Sequence, residues 1–230
     1  MTNHLIKSYD DELIRLTNEL VRMGELATHQ LEAAMDAVER RDVEAAQRVV
    51  DDDDAIDLLE REIGQDVVRL LALRAPMAGD LRNVFAALRI ASDIERIGDY
   101  AANVAKRSIP LSQGAPIAPT GGLAHLAELA TIAVREVLDA WRERDGERAR
   151  QVWLDDTQLD DAWTGYFRQL LTYMMEDPRH ITPCTHLLFM AKNIERIGDH
   201  ATNIAENVWF VVYGKPLPEL RAKHDRTSEA

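Results

Sequence analysis

Cysteine is almost absent from this 230-residue chain: Cys184 stands alone, which excludes an internal disulfide and suits a reducing compartment. Aromatic residues are scarce at 6%, and only 11 glycines occur. With Ala and Leu abundant, those scarcities point to an all-α protein. No stretch approaches the roughly 18 apolar residues that a membrane span needs. The opening segment, MTNHLIKSYDDELIR, lacks the apolar run of a signal peptide. No membrane insertion is therefore expected, and a cytoplasmic location is. Positive charge is in deficit, 27 Lys and Arg against 40 Asp and Glu, giving a net charge of −13 and a pI near 5.0. That balance argues against nucleic acid, whose phosphates need a basic face, and against simple electrostatic docking on anionic lipid.

What the chain does contain is an internal duplication. Residues 93–106 read DIERIGDYAANVAK and residues 193–206 read NIERIGDHATNIAE, agreeing at nine of fourteen positions. On a helix, Glu95, Asp99 and Asn103 stand at i, i+4 and i+8, as do Glu195, Asp199 and Asn203, so each trio stacks on one face. Like charges at i, i+4 repel, and a repeated choice of that arrangement calls for a compensating cation.

Apolar residues at 13, 16, 20, 23, 27, 31, 34 and 38 mark a long amphipathic helix from Tyr9 to Glu39. A second helix is expected from Val43 to Leu73, with Ile56, Leu59, Ile63, Val67 and Leu70 inward, broken by Pro76 and Gly79. A third runs from Asp80 to Ser108 with Leu81, Val84, Leu88 and Ala91 on its buried side. Residues 109–122 hold three prolines and three glycines and form the linker. The plan then repeats, with helices over 123–144, 147–176 and 185–213, the last two separated by a break between Pro178 and Pro183. The chain thus divides into a three-helix bundle over 1–108, the linker, a second bundle over 123–216, and a charged tail over 217–230, expected to fray.

A second acidic pair precedes each Glu-xxx-Asp: Asp53 with Asp57, and Asp156 with Asp160. The midpoint of residues 57 and 95 is Pro76, the breaker joining their two helices; that of 160 and 195 falls beside Pro178. In an antiparallel hairpin, residues equidistant from the turn share one height, here roughly 29 Å from the first turn at 1.5 Å per residue. Two sets of four carboxylates should therefore meet, Asp53, Asp57, Glu95 and Asp99 in one half and Asp156, Asp160, Glu195 and Asp199 in the other. All-oxygen sets of this kind suit hard ions such as Mg²⁺, Mn²⁺, Ca²⁺ or ferric iron rather than structural zinc. Glu25 or His29 of the first helix could add a ligand at the same height. Gly98 and Gly198 leave room beside the carboxylates for an ion or a close helix. Arg96 and Arg196 are expected in structural ion pairs, His200 points roughly 100° away from Asp199, and the apolar run Trp209–Tyr213 serves packing or an interface. A ferritin-type oxidase would need Glu-x-x-His, and neither Glu95 nor Glu195 has His at i+3. No nucleophile constellation for a phosphatase is visible, so no enzyme is expected. The remaining alternative is a metal-free helical scaffold.

At these residues the chain closely resembles the PhoU family of phosphate-signalling regulators. The two ERIGD segments with Asn103 and Asn203, the Pro76–Arg82 turn, and the Asp53/Asp57 and Asp156/Asp160 pairs carry the resemblance over nearly the whole chain. It implies two tandem, pseudo-symmetric three-helix bundles bearing metal clusters (iron, zinc, manganese or magnesium), with Asp80 of the shared turn as a further candidate ligand. It also implies negative regulation of the phosphate-starvation response. The partners it implies are the ATPase subunit of the phosphate ABC transporter and a sensor histidine kinase, recruitment to the inner face of the membrane through them, and a homodimer. The second half departs from the pattern in lacking Asp80-Leu81-Arg82 and in carrying Asn193 where the first has Asp93, so the two sites should differ.

Overall fold

The computed structural model describes residues 2–74, 76–116 and 119–218, with backbone alone for residues 2–10. Among them the architecture is all helical. The helices are α1 (Thr2–Arg40), α2 (Val43–Asp51), α3 (Asp54–Arg74), α4 (Gly79–Gln113), α5 (Gly121–Glu143), α6 (Gly146–Glu176) and α7 (Ile181–Tyr213), with a single 3₁₀ turn at Pro178–His180.

The same turn is built twice. Arg41 (φ 56°) and Arg144 (φ 54°) take the left-handed conformation that stops a helix. The next residue caps the following helix: Asp42 accepts from the Ala45 N–H at 2.9 Å, and Asp145 from the Arg148 N–H at 3.0 Å.

Four helix limits differ from those expected, the first being that α1 begins at Thr2 rather than Tyr9. Helix 43–73 is interrupted at Asp52-Asp53, within the run Asp51–Asp54. There Ala55 and Ile56 donate to carbonyls three residues back rather than four, at 3.1 and 2.9 Å. Four adjacent aspartates, poor helix formers that repel one another, weaken the ladder at that point. Helix α4 runs through Pro110 to Gln113, because the Arg41 guanidinium donates to the C-terminal carbonyls of Leu111, Ser112 and Gly114 and satisfies groups a helix end leaves orphaned. Helix α7 begins before Pro183, whose missing N–H falls in the first turn and costs no hydrogen bond. Residues 219–230 of the charged tail and residues 117–118 of the linker lie outside the described residues.

Helices α4 and α7 form the centre and pack most extensively on each other. They run antiparallel, with Arg82 beside Gly214, Asp93 beside His200, and Arg107 over Phe189. Small residues are buried on both, Ala87, Ala91 and Ala101 on α4 and Ala191, Ala201 and Ala205 on α7. Helices α1, α2 and α3 complete the bundle around α4, and α5 and α6 that around α7. Helices α1 and α5 close the seam between halves, where Gly24 admits the Leu138 side chain. The inward residues of α3 are Ile56, Ile63, Val67 and Leu70, as read, with Leu59 partly buried. On α4, Val84 and Ala91 are buried, but Leu81 and Leu88 are exposed. The buried stripe of that helix follows its alanines and Ile90, Ile94 and Ile97, which turns the two leucines outward.

Candidate cation-binding faces

Each half brings its acidic pairs together. In the first, Asp53 stands in the α2–α3 turn, Asp57 opens α3, and Glu95 and Asp99 face them from α4. Desolvation raises the pKa of Asp53; a hydrogen bond from Gln30 opposes the rise, and the neighbouring charges of Asp99 and Asp57 add to it. Glu95 is also raised, first by burial and then by Asp99, with Arg96 opposing and Asp57 adding. In the second half, Asp156 and Asp160 lie on α6, with Glu195 and Asp199 on α7. Burial raises the pKa of Glu195, Lys192 opposes, and Asp199 and Asp160 reinforce the rise. Equal heights along antiparallel neighbours thus became carboxylates that feel one another's charge.

Glycine makes the approach possible. A Cβ at Gly98 would stand 2.9 Å from Ile56 Cδ1 and 3.3 Å from Asp53 Oδ1. At Gly198 it would overlap Leu159 Cδ2 and stand 3.0 Å from Asp156 Oδ1. The missing side chain therefore serves both a close helix and the first carboxylate of each set.

The two faces differ in solvation. The first is open: the Asp57 and Asp99 side chains are 38% and 35% exposed, and Arg96 lies 3.3 Å from Asp99 and 3.6 Å from Glu95. In the second, Asp156, Asp160 and Glu195 are buried, at 6%, 3% and 3%. Lys192 Nζ lies 2.9 Å from Glu195 Oε2 and stands where the first half has Ser92. Arg196 does not repeat the role of Arg96. Its guanidinium sits 5.6 Å from the Tyr100 ring, a cation–π contact across the two halves.

Not every candidate joins these faces. Asp80 is exposed in the first turn of α4, fifteen residues before Glu95 and so about 22 Å away along the helix. Glu25 and His29 line the α1–α5 seam with Arg135 and Arg142, and His29 Nδ1 lies 3.2 Å from Glu32. Asn203 reaches across to Asp93 Oδ1 at 3.3 Å, beside His200 Nδ1 at 2.8 Å, so it ties the halves together. Asn103 is half-buried on α4. The contribution of α1 comes from a residue the sequence did not single out. Gln30 Nε2 donates to Asp53 Oδ1 at 2.9 Å and to the Val49 carbonyl at 3.4 Å, bridging the break before α3. Its signal was only its height beside His29.

The donor chemistry, oxygen alone with raised carboxyl pKa values, fits a hard cation, which would relieve the repulsion. Among the described residues, no three acidic, His or Cys side chains are gathered closely enough as they stand to hold one. Binding would therefore require carboxylate rotation.

Residues 20–108 and 123–208 each match the family model described as PhoU domain. The chain is 59% identical to a phosphate-specific transport system accessory protein PhoU homolog of Xylella fastidiosa strain 9a5c, covering 98% of this chain and 95% of that one. It is 47% identical to the homolog of Rhizobium meliloti strain 1021 over 98% and 95% of the two chains. The crystal structure of PhoU from Pseudomonas aeruginosa superposes with a TM-score of 0.86 at 38% identity, covering 90% of this chain and all of that one. The phosphate transport system regulatory protein PhoU from Streptococcus pneumoniae gives 0.85 at 26% identity, covering 92% and all.

Proposed function

The chain belongs to the PhoU family, and from that premise we propose that it is a negative regulator of the phosphate-starvation response and of phosphate uptake. In this reading it joins the ATPase subunit of the phosphate ABC transporter to a sensor histidine kinase. At the coarser level it is a non-enzymatic accessory protein of phosphate transport. The observation that carries this is the high identity, over nearly the full length, to relatives bearing that description. No described helix is long and apolar enough to cross a membrane, and in this reading contact with the transporter is made by docking.

Within that role we assign the two acidic faces to hard cations. Asp53, Asp57, Glu95 and Asp99 would hold one, and Asp156, Asp160, Glu195 and Asp199 the other. A cation would supply electrostatic cross-linking of α3 to α4 and of α6 to α7, stiffening the helices offered to partners. Homodimerisation belongs to the same proposal.

The test is co-purification of the intact protein with the transporter ATPase and with the kinase, alongside a phosphate-starvation reporter in a deletion strain. The reading expects binding to both and constitutive reporter expression after deletion. Folded protein that binds neither, with a reporter still repressed in the deletion strain, would refute it.

A further inference from the structure

The α3–α4 hairpin ends in a surface that the acidic composition of the chain conceals. Val68 and Leu73 on α3, Met77 in the turn, and Leu81, Phe85 and Leu88 on α4 are all exposed, Met77 at 80% and Phe85 at 50%. The three α4 residues repeat at i, i+4 and i+7, which places them on one stripe. An unpartnered patch of large apolar side chains marks an interaction site on a soluble domain.

Its charge is opposite to that of the chain. Residues 67–89 hold four arginines and one carboxylate, Asp80, although the whole chain carries −13. Two of the arginines are answered, Arg74 by Glu12 at 2.8 Å and Arg69 by Asp66 at 3.0 Å, the latter carboxylate shared with Arg15. Among the described residues Arg82 and Arg89 form no ion pair, and Arg89 lies 4.7 Å over the Phe85 ring. Arg89 thus flanks the apolar stripe, while Arg82 lies half-buried against Gly214 with its Nε out of solvent.

The duplicated half provides an internal comparison. The equivalent hairpin also exposes Met175 and Ile181, but residues 170–189 hold one arginine, Arg179, bound to Asp177 at 2.6 Å, with Glu176 beside it. Because α4 and α7 run antiparallel, that hairpin lies at the other end, against Pro110 and Pro116. The other end sets Arg107 4.4 Å over the exposed Phe189 ring, and its hairpin carries Glu176 and Asp177 where the α3–α4 hairpin carries Asp80 alone.

We propose that the α3–α4 hairpin docks directly on an anionic lipid surface. Leu73 and Met77 project at the turn itself, where a soft apolar phase can receive them, whereas a partner helix needs a groove with two walls. Arg89 would meet headgroup phosphates while its stem lies along the apolar stripe. The overall negative charge does not forbid this, since charges beyond a Debye length of about 8 Å are screened and the local arginines decide. Such docking goes beyond recruitment through protein partners and would orient the molecule with one end toward the bilayer.

The test is co-sedimentation of the intact protein with vesicles of phosphatidylcholine alone and of phosphatidylcholine mixed with phosphatidylglycerol. The variants are Phe85→Glu, Arg89→Glu and, at the opposite end, Met175→Glu, each checked for helix content and melting temperature. Binding to the phosphatidylglycerol vesicles that falls roughly tenfold or more in Phe85→Glu and Arg89→Glu, weakens with salt, and is unchanged in Met175→Glu supports the proposal. No binding above the phosphatidylcholine level overturns it, as does equal loss in Met175→Glu. It is also overturned if the hairpin variants abolish self-association while lipid binding stays as in the unaltered chain, which would assign the patch to a second copy.

Discussion

Lys192 Nζ lies 2.9 Å from Glu195 Oε2 at the heart of the second acidic face, and no lysine occupies the matching position of the first, which is Ser92. One half therefore sets a lysine against its buried glutamate, while in the other Arg96 and Arg61 stand at the exposed rim and Gln30 donates to Asp53. The duplication preserved the helices and differentiated the sites.

Replacing Lys192 with Met should expose this difference. Glu195 would lose its ion-pair partner while staying buried, a loss of about 1–3 kcal/mol in the absence of added cation. Urea unfolding should show that cost and its partial recovery by millimolar Mn²⁺ or Mg²⁺. A variant as stable as the parent, with no response to cation, would contradict the assigned role.

The raised pKa of Glu195 sets a pH dependence. Its folded carboxyl titrates above the unfolded value of about 4.5, so its charged form is disfavoured by folding. That penalty is fully present above the folded pKa and is relieved as pH falls through it toward 4.5. Asp177, held at about 2 by Arg179, acts oppositely and costs stability only as pH falls from the ordinary aspartate value of 3.8 toward 2. Through Glu195, metal-free protein should gain stability between neutrality and about pH 4.5, while His186, whose pKa burial and Arg107 hold below the usual imidazole range, acts against that gain. Glu195→Gln should be the more stable form at pH 7 and lose that advantage near pH 4.5. Thermal melts across this range check both.

The two mid-helix glycines should tolerate alanine unequally. Alanine adds about 1 kcal/mol of helix propensity at either site, against an overpacking cost of about 1–3 kcal/mol. Both clashes are with buried side chains, but that at Gly198 with Leu159 is the deeper overlap, whereas at Gly98 the Ile56 tip at 2.9 Å needs to yield only slightly. Gly198→Ala should be destabilising and Gly98→Ala close to neutral, read from denaturant midpoints.

Gln30→Leu should loosen the α2–α3 break. It removes donors to Asp53 and to the Val49 carbonyl and should cost about 1–2 kcal/mol. Amide exchange should quicken at residues 52–56 before it does elsewhere. Unchanged exchange there would show that the bridge does not hold the turn.

Much of this was legible in the chain because the governing physics is local or arithmetic. The ERIGD duplication announced two equivalent units, and equal distances from Pro76 brought Asp57 to the level of Glu95. The break at Asp52-Asp53 was not legible, because a run of aspartates weakens a helix without fixing where it parts, and the Gln30 that bonds Asp53 and the Val49 carbonyl comes from another helix. Leu81 and Leu88 looked inward by spacing, but the buried stripe of α4 follows its alanines with Ile90, Ile94 and Ile97, and the two leucines face outward. Arg196 could not be placed without knowing that Tyr100 of the other half would face it. Asp80 resembled a ligand by its place in the shared turn, yet helix rise alone puts it far from Glu95.

The most direct test of the central claim is the metal content of the purified, chelator-treated and reconstituted protein, measured with Mn²⁺ by calorimetry and elemental analysis. The parent is compared with Glu95→Ala/Asp99→Ala and with Glu195→Ala/Asp199→Ala. The account predicts that each pair of substitutions abolishes binding at one face and leaves the other intact, with helix content unchanged. Stoichiometry and affinity unaltered in both double variants would contradict it.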